Sequence, residues 1–303
     1  MKKSTKWFLA IFGVLMFFSL FAMLFFYAIF TSIKNEDEVV SGFGDRIAVI
    51  ELNGIIMDSE EIVKQFKKYR EDNSIKAILL RVDSPGGGVV ASQEIYEAVR
   101  KTRESDLPVV VSMGSLGASG GYYVSVGANK IMANPGTLTG SIGVISEFMR
   151  FDSLMGKIGV GMNVIKSGKL KDAGSPFRKI TKDDREYFQN LMNEVHLQFI
   201  EAVEKERKLD HDSLLHYADG RVFTGVQAQK LGLIDTIGTY EDAVALAAKL
   251  GHIKGKPAIV KQRKYKLTLF DLFSSRVGLD GLTKLKNEVM NQPVLQYRMS
   301  QGF

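Results

Sequence analysis

Residues 77–103 read AILLRVDSPGGGVVASQEIYEAVRKTR. An apolar run, Ala77 to Leu80, leads through Arg81-Val82-Asp83-Ser84 into a proline and three glycines, and a helical pattern follows from Val89 to Arg103. A strand-length apolar run that turns tightly into an amphipathic helix is the repeating unit of α/β folds. Pro85 and the glycines mark the turn. Consecutive glycines also let the backbone approach a ligand closely and leave N–H groups able to hold a carbonyl oxygen as it becomes negative. This makes Gly86 and its neighbours candidates for an oxyanion hole. The competing reading is a strand-to-helix loop that needs positive φ and nothing more.

The next apolar run, Pro108 to Ser112, opens directly into MGSLGASGGYY, residues 113–123. Gly117-Ala118-Ser119-Gly120-Gly121 matches G-x-S-x-G, in which glycines leave a nucleophilic serine exposed on a tight turn with backbone N–H groups beside it. Further on, IKSGKLKD (residues 165–172) sets Lys171 in similar small-residue surroundings, and no histidine lies between Ser119 and Lys171. A lysine amine has an ordinary pKa of about 10.4, so it accepts a serine's proton at neutral pH only where burial disfavours the ammonium. Serine–lysine pairs are a variant of the serine-protease constellation. Lys166 and Lys169 share the stretch with Lys171, and a solvated surface lysine is the alternative reading of each.

The SPGGG turn, MGSLGASGGYY, SGKLKD and GRVFTGVQAQKLGLID (residues 220–235) together, in this order, resemble bacterial signal peptide peptidase A in its short form. The resemblance runs from about Arg46 to Leu250. It implies the α/β ClpP/crotonase fold of repeated ββα units, a Ser/Lys-dyad endopeptidase acting on remnant signal peptides and other short hydrophobic peptides, and a homo-oligomeric ring, an octamer. Carried over to this chain, it implies Ser119 as nucleophile, Lys171 as general base, Ser141 in Thr139-Gly140-Ser141-Ile142-Gly143 as the hydroxyl that orients the lysine, and Gly86 and Gly120 as the oxyanion-hole donors. No cofactor is implied.

Other chemistries find less support. His196, His211, His216 and His252 follow Ser119 with Asp183 and Asp184 between, which permits the Ser-Asp-His order of an α/β-hydrolase. None of these histidines sits in a supporting motif, and the apolar strand ahead of Ser119 ends at Met113, several residues short of a nucleophile elbow. No S-x-x-K occurs, which removes the penicillin-binding type. Gly114, Gly117 and Gly120 fit neither nucleotide-binding fingerprint, and no H-E-x-x-H pair is present. With no cysteine, thiol catalysis, disulfides and thiolate metal sites are excluded. A crotonase-type acyl-CoA enzyme and a non-catalytic membrane scaffold remain as alternatives of other classes.

Around this core, Lys2, Lys3 and Lys6 precede Trp7–Phe30, which carries no charged residue and is long enough to cross a hydrocarbon core of about 30 Å. Lysines before the span and Glu36, Asp37 and Glu38 after it place the catalytic part outside the bacterial cytoplasmic membrane, on a single-pass anchor. The expected organisation is a cytoplasmic N-terminus (1–6), an anchor (7–31), a linker (32–45), a protease domain (46–253) and a basic tail (254–303). Strands are expected at Arg46–Leu52, Lys76–Val82, Val109–Met113, Ile131–Asn134, Ile142–Ser146 and Met162–Lys166. Helices are expected at Glu60–Tyr69, Val89–Arg103, Asp183–Lys208 and Tyr240–Leu250. Leu267, Leu269, Phe270, Leu272 and Phe273 make the basic tail a candidate for an anionic membrane surface or an ordinary solvated segment. The expected partners are therefore peptides, the membrane and other copies of the chain, with no nucleic acid and no metal.

Overall fold

The computed structural model describes residues 3–32, 37–42, 44–262 and 295–299. It divides into two units. The first contains helix α1 (Lys3–Ser32), whose described side chains from Phe12 to Phe25 are all exposed. Among the described residues, no helix is long and apolar enough to cross a membrane.

The second unit is the α/β body. After β1 (Asp37–Ser41) come β2 (Arg46–Asn53), α2 (Glu60–Glu71), β3 (Ile75–Ser84), β4 (Gly86–Gly88), α3 (Val89–Glu104), β5 (Val109–Ala118), α4 (Gly120–Val126), β6 (Lys130–Ala133) and β7 (Leu138–Gly140). The chain continues through α5 (Asp152–Lys157), α6 (Lys182–Arg207), α7 (His211–Leu215), β8 (Val222–Thr224), α8 (Gly225–Lys230), β9 (Thr236–Ile237), α9 (Tyr240–Leu250), β10 (Ala258–Gln262) and β11 (Gln296–Arg298). Strands β10, β2, β3, β5, β6 and β9 lie side by side in that order and all pair in parallel.

Both faces of this sheet are covered, so its strands read as continuous apolar runs. Alternate residues divide between two cores. Ile50, Leu80 and Val111 pack with helices α3, α4 and α6 on one face. Val49, Leu79 and Val110 pack against Ala243 and Ala247 of α9 on the other.

The first half of β5 pairs with β6 (Val110 opposite Lys130), and its second half leaves β6 for β7 (Gly117 opposite Thr139). This change of partner splays the strand ends and opens a cleft at the carboxyl end of β5, where open α/β sheets place their ligands. Helix α6 forms one wall of the cleft. A capping box of Thr181 and Asp184 starts it. At its far end Tyr96 and Arg103 hold Glu206 at 2.8 and 2.6 Å, and Arg207 donates to the Gly232 carbonyl and to Asp235 at 3.0 and 2.9 Å.

Three expectations change. Ile142–Ser146 is not a strand of the sheet, because Gly140 and Ser141 both take positive φ (79° and 51°) and turn the chain out of it; only Ile145 forms a bridge, to Gln296. Met162–Lys166 is unpaired and exposed. Residues 254–303 are not a tail throughout: Ala258–Gln262 joins the sheet beside β2, and Gln296–Arg298 pairs with β4. Leu267, Leu269, Phe270, Leu272 and Phe273 lie outside the described residues.

Asp235 ties α6 to β6. Its carboxylate accepts from the Ile131 N–H at 2.8 Å, from Arg207 at 2.9 Å and from Lys130 at 3.1 Å. Burial pushes this carboxyl up, but the three donors outweigh it and the group lies below the ordinary carboxylate range. A depressed folded-state pKa stabilises the protein at neutral pH and is lost as pH falls below about 4. Asp235→Asn should therefore cost on the order of 2 kcal/mol at pH 7, and the deficit should shrink below about pH 4. Urea unfolding followed by circular dichroism at both pH values checks this.

Candidate active site

Strand β5 continues to Ala118 and α4 begins at Gly120, so Ser119 is the single residue between strand and helix. It has φ 53° and ψ −117°, a conformation that costs a non-glycine residue about 1–3 kcal/mol. Its N–H donates to the Gly140 carbonyl at 2.8 Å, and its carbonyl accepts from the Tyr123 N–H at 2.8 Å. This is the sharp strand–serine–helix turn of a nucleophile elbow, which a strand ending at Met113 would not have given. The Ser119 side chain is 1% exposed, and its Oγ has no hydrogen-bond partner.

Beside it runs β4. On one edge the Ile56 N–H donates to the Gly86 carbonyl at 2.9 Å and the Gly88 N–H donates to the Ile56 carbonyl at 2.7 Å. On the other edge β11 lies antiparallel, with the Val89 N–H donating to Leu295 at 3.3 Å and the Met299 N–H to Pro85 at 2.9 Å. Antiparallel bonds recur at every second residue, and Tyr297 stands opposite Gly87. The Gly87 N–H is therefore the one directed at the Tyr297 carbonyl. Gln296 also exchanges both backbone bonds with Ile145, at 3.0 and 3.1 Å. The segment Leu295–Met299 is thus an extended peptide held between two backbone edges.

The Tyr297 carbonyl oxygen is set among glycines. A Cβ on Gly86 (φ +95°) would fall 1.9 Å from that oxygen and 2.6 Å from the Gly120 nitrogen, and a Cβ on Gly120 would fall 3.0 Å from the same oxygen. Of the two glycines expected as donors, Gly120 adjoins the carbonyl. Gly86 gives it clearance instead, because the Gly86 N–H is directed at Ser84 Oγ, 3.1 Å away. Among the neighbours of Gly86 it is Gly87 that stands opposite Tyr297; three identical residues carry no sign of which one does. The Tyr297 side chain is fully buried against Tyr123 and Phe199, with ring centroids 5.1 and 4.7 Å away.

Ser141, 5% exposed and at φ 51°, adjoins the Gly140 carbonyl that binds Ser119, and its own N–H donates to Arg221 at 2.9 Å. It lines a cavity of about 380 Å³ together with Asn193, His196, Asp219 and Arg298. Lys171 is not brought to Ser119 within the chain. It lies exposed in a turn, while Ser119 Oγ has no partner. In the same stretch Lys166 pairs with Asp172 at 2.5 Å and Lys169 pairs with Asp183, whereas Lys171 forms no ion pair with any described residue. Arg178 donates to both carboxylate oxygens of Asp172, at 3.0 and 2.9 Å, and also binds Asp184. Arg178 and Lys166 hold the Asp172 carboxyl down to about 2. The residue next to Lys171 is therefore pinned to the start of α6.

The histidine alternative is not assembled. Ser119 Oγ and His196 Nε2 are both buried without partners and so are not bonded to each other. His211 pairs with Glu204, the His216 ring packs on Tyr217, and Asp183 and Asp184 are engaged by Lys169 and Arg178. Among the described residues, no group of three or more His, Cys, Asp or Glu could hold a metal ion.

Comparison with known proteins matches residues 101–254 to peptidase family S49 and residues 43–137 to the Clp protease family. The chain belongs to peptidase family S49. It is similar to the SppA-type peptidases and has a ClpP-like α/β fold. A protein named as a protease in Synechocystis sp. is 43% identical over 206 residues, which is 68% of this chain and 74% of that one. One named as a protease in Methanocaldococcus jannaschii is 39% identical over 204 residues, 67% of this chain and 65% of its own length. One named as signal peptide peptidase SppA in Enterococcus faecium is 37% identical over 212 residues, 66% of this chain and 62% of its own length. The match thus spans a little under two thirds of the last two relatives.

A methyl group on Gly86 would occupy the place of the peptide carbonyl and press on the Gly120 nitrogen. Gly86→Ala should lower kcat/KM for peptide cleavage by at least about 100-fold, with the circular dichroism spectrum unchanged. Cleavage within threefold of the parent chain would show that the carbonyl does not bind there.

Proposed function

We propose that the chain is a membrane-anchored serine endopeptidase that cuts short hydrophobic peptides, among them remnant signal peptides, using Ser119 and a lysine from a neighbouring copy. The observation that carries this reading is the Ser119 hydroxyl, buried, strained and without a partner, beside a peptide carbonyl cradled by glycines. An unpaired buried hydroxyl costs about 1–3 kcal/mol, a cost that suits a group whose partner arrives with assembly. In the proposed reaction, neutral Lys171 takes the Ser119 proton as Oγ attacks the carbonyl carbon. The Gly87 and Gly120 N–H groups hold the oxyanion. The lysine then gives its proton to the leaving amine, and water repeats the sequence on the ester. Ser141, lining the adjacent cavity, orients the lysine.

The segment that carries Lys171 supports an assembled form. Met149, Leu154, Ile158, Val160 and Met162 are all more than half exposed on it, an apolar strip of the kind that marks an interface. A ring places that strip and Lys171 against the next subunit, and the resemblance to the short peptidases implies eight copies. Anchoring rests on Trp7–Phe30, an uncharged stretch inside one continuous helix. The lysines before it favour a catalytic body on the extracytoplasmic side, where peptides leaving the bilayer are within reach. An acyl-CoA enzyme would have no use for a cleft that binds an extended peptide along two backbone edges.

Co-expressing Ser119→Ala and Lys171→Ala chains tests the shared site. Random mixing in a ring would pair an intact serine with a neighbour's intact lysine at about a quarter of interfaces. Peptide cleavage should therefore reappear in the mixture while each variant alone is inactive. No recovery in proven mixed assemblies would put both residues in one subunit.

A further inference from the structure

The glycines of β4 have no side chains with which to hold their own peptide planes, yet the cleft depends on where those planes point. Successive N–H groups along a strand face opposite edges. The Gly87 N–H is therefore directed at the cleft only while those of Gly86 and Gly88 are held away from it. The Gly88 N–H is taken by the Ile56 carbonyl at 2.7 Å. The Gly86 N–H is taken by a side chain, the Ser84 hydroxyl, at 3.1 Å. The same hydroxyl donates to the Gly54 carbonyl at 2.6 Å, and the Gly54 N–H donates to the Asp83 carbonyl at 2.9 Å. A serine hydroxyl has one proton to give; with that proton on Gly54, its lone pairs are left for Gly86.

Ser84 is also where the glycine strip meets the nucleophile turn. It is fully buried, ends β3 and stands opposite Gly117 of β5, two residues before Ser119. A Cβ on Gly121, the second residue of α4, would fall 2.9 Å from the Ser84 carbonyl oxygen and 3.4 Å from the Ser84 Cβ. One residue thus touches the Gly54 loop, the strip and the helix that begins after Ser119. We infer that Ser84 is a positioning residue of the peptidase: its hydroxyl holds the Gly86 N–H back and so keeps the Gly87 N–H aimed where the oxyanion forms. The inference rests on the peptidase reading above and adds a residue to it. The competing role is that of a hydroxyl that merely completes a tight turn. Its loss would then reduce the amount of folded enzyme and leave each folded site unchanged. A bond that aims a donor acts mostly in the transition state, because the carbonyl oxygen becomes charged only there. The bound peptide keeps its other backbone bonds, to Pro85, Val89 and Ile145. Ser84→Ala should therefore lower kcat about tenfold, short of the 100-fold or more that follows loss of a donor outright, with KM within threefold.

The test compares the full chain and its Ser84→Ala variant in detergent, on one short hydrophobic peptide and on the matching peptide aldehyde. Ser119 Oγ adds to the aldehyde carbon as its proton passes to the lysine, and the former carbonyl oxygen takes the negative charge at the oxyanion site. An inactive fraction lowers kcat but leaves the aldehyde Ki of the remaining sites as it was, whereas a misdirected donor raises Ki. A fall in kcat matched by an equal rise in Ki, with KM within threefold, supports the inference. An unchanged Ki, or an effect carried by KM alone, overturns it and leaves the peptidase reading in place. Should Ser84→Ala not fold, Ser84→Cys, whose thiol is a weak donor and weak acceptor, is judged on the same Ki. No Ser119-dependent cleavage or aldehyde binding by the parent chain overturns both readings.

Discussion

Three residues without side chains govern the cleft. Gly86–Gly88 is approached by backbone on both edges: a Cβ on Gly87 would lie 2.1 Å from the Ile56 carbonyl oxygen, and one on Gly86 would lie 1.9 Å from that of Tyr297. Each contact is backbone to backbone, so neither neighbour could swing aside as a flexible side chain might. The strip fixes the path of the bound peptide, and through it the position of the carbonyl beside Ser119. The strained serine, the buried Gly121 packed against Ser84 and the aromatic pocket take their places around that carbonyl. A peptide bound in this way is recognised mainly by its backbone, and its side chains contribute through one deep pocket.

The other half of the chemistry is displaced from this centre. Asp172, Arg178 and Asp184 clamp the turn after Lys171 to the head of α6, while the preceding Met149–Ile165 stretch exposes apolar side chains that a solitary chain would have reason to bury. A rigid, charged clamp beside an uncovered apolar strip fits a segment held ready for another copy.

Much of the architecture was legible in the sequence because buried parallel strands and amphipathic helices carry strong periodic signals. Arg46–Asn53, Glu60–Glu71 and Tyr240–Leu250 fall close to where the pattern puts them. Elements of two or three residues, such as Leu138–Gly140 and Val222–Thr224, have no period to read. Their existence depends on tertiary pairing to each other and to the far half of β5. The elbow was obscured because Gly114 and Gly117 interrupt the apolar run that continues as strand. Of the candidate site, Ser119 and Gly120 lie close to Ser141 through the Gly140 carbonyl that accepts from the Ser119 N–H. Lys171 lies apart from them, exposed in a turn. The Leu295–Met299 segment was hidden among basic residues, where a single tyrosine gives no hint that it fills a pocket.

Covalent trapping tests the central claim most directly. The assembled full chain would be treated with a peptidyl phosphonate carrying a tyrosine side chain next to phosphorus, then digested and mapped, alongside chain dissociated to single subunits. The account predicts one adduct, on Ser119 within Gly117–Gly121, formed in the assembly and not in the isolated subunit, where no lysine reaches Oγ. An adduct on another residue, or equal labelling of Ser119 in separated subunits, would contradict it.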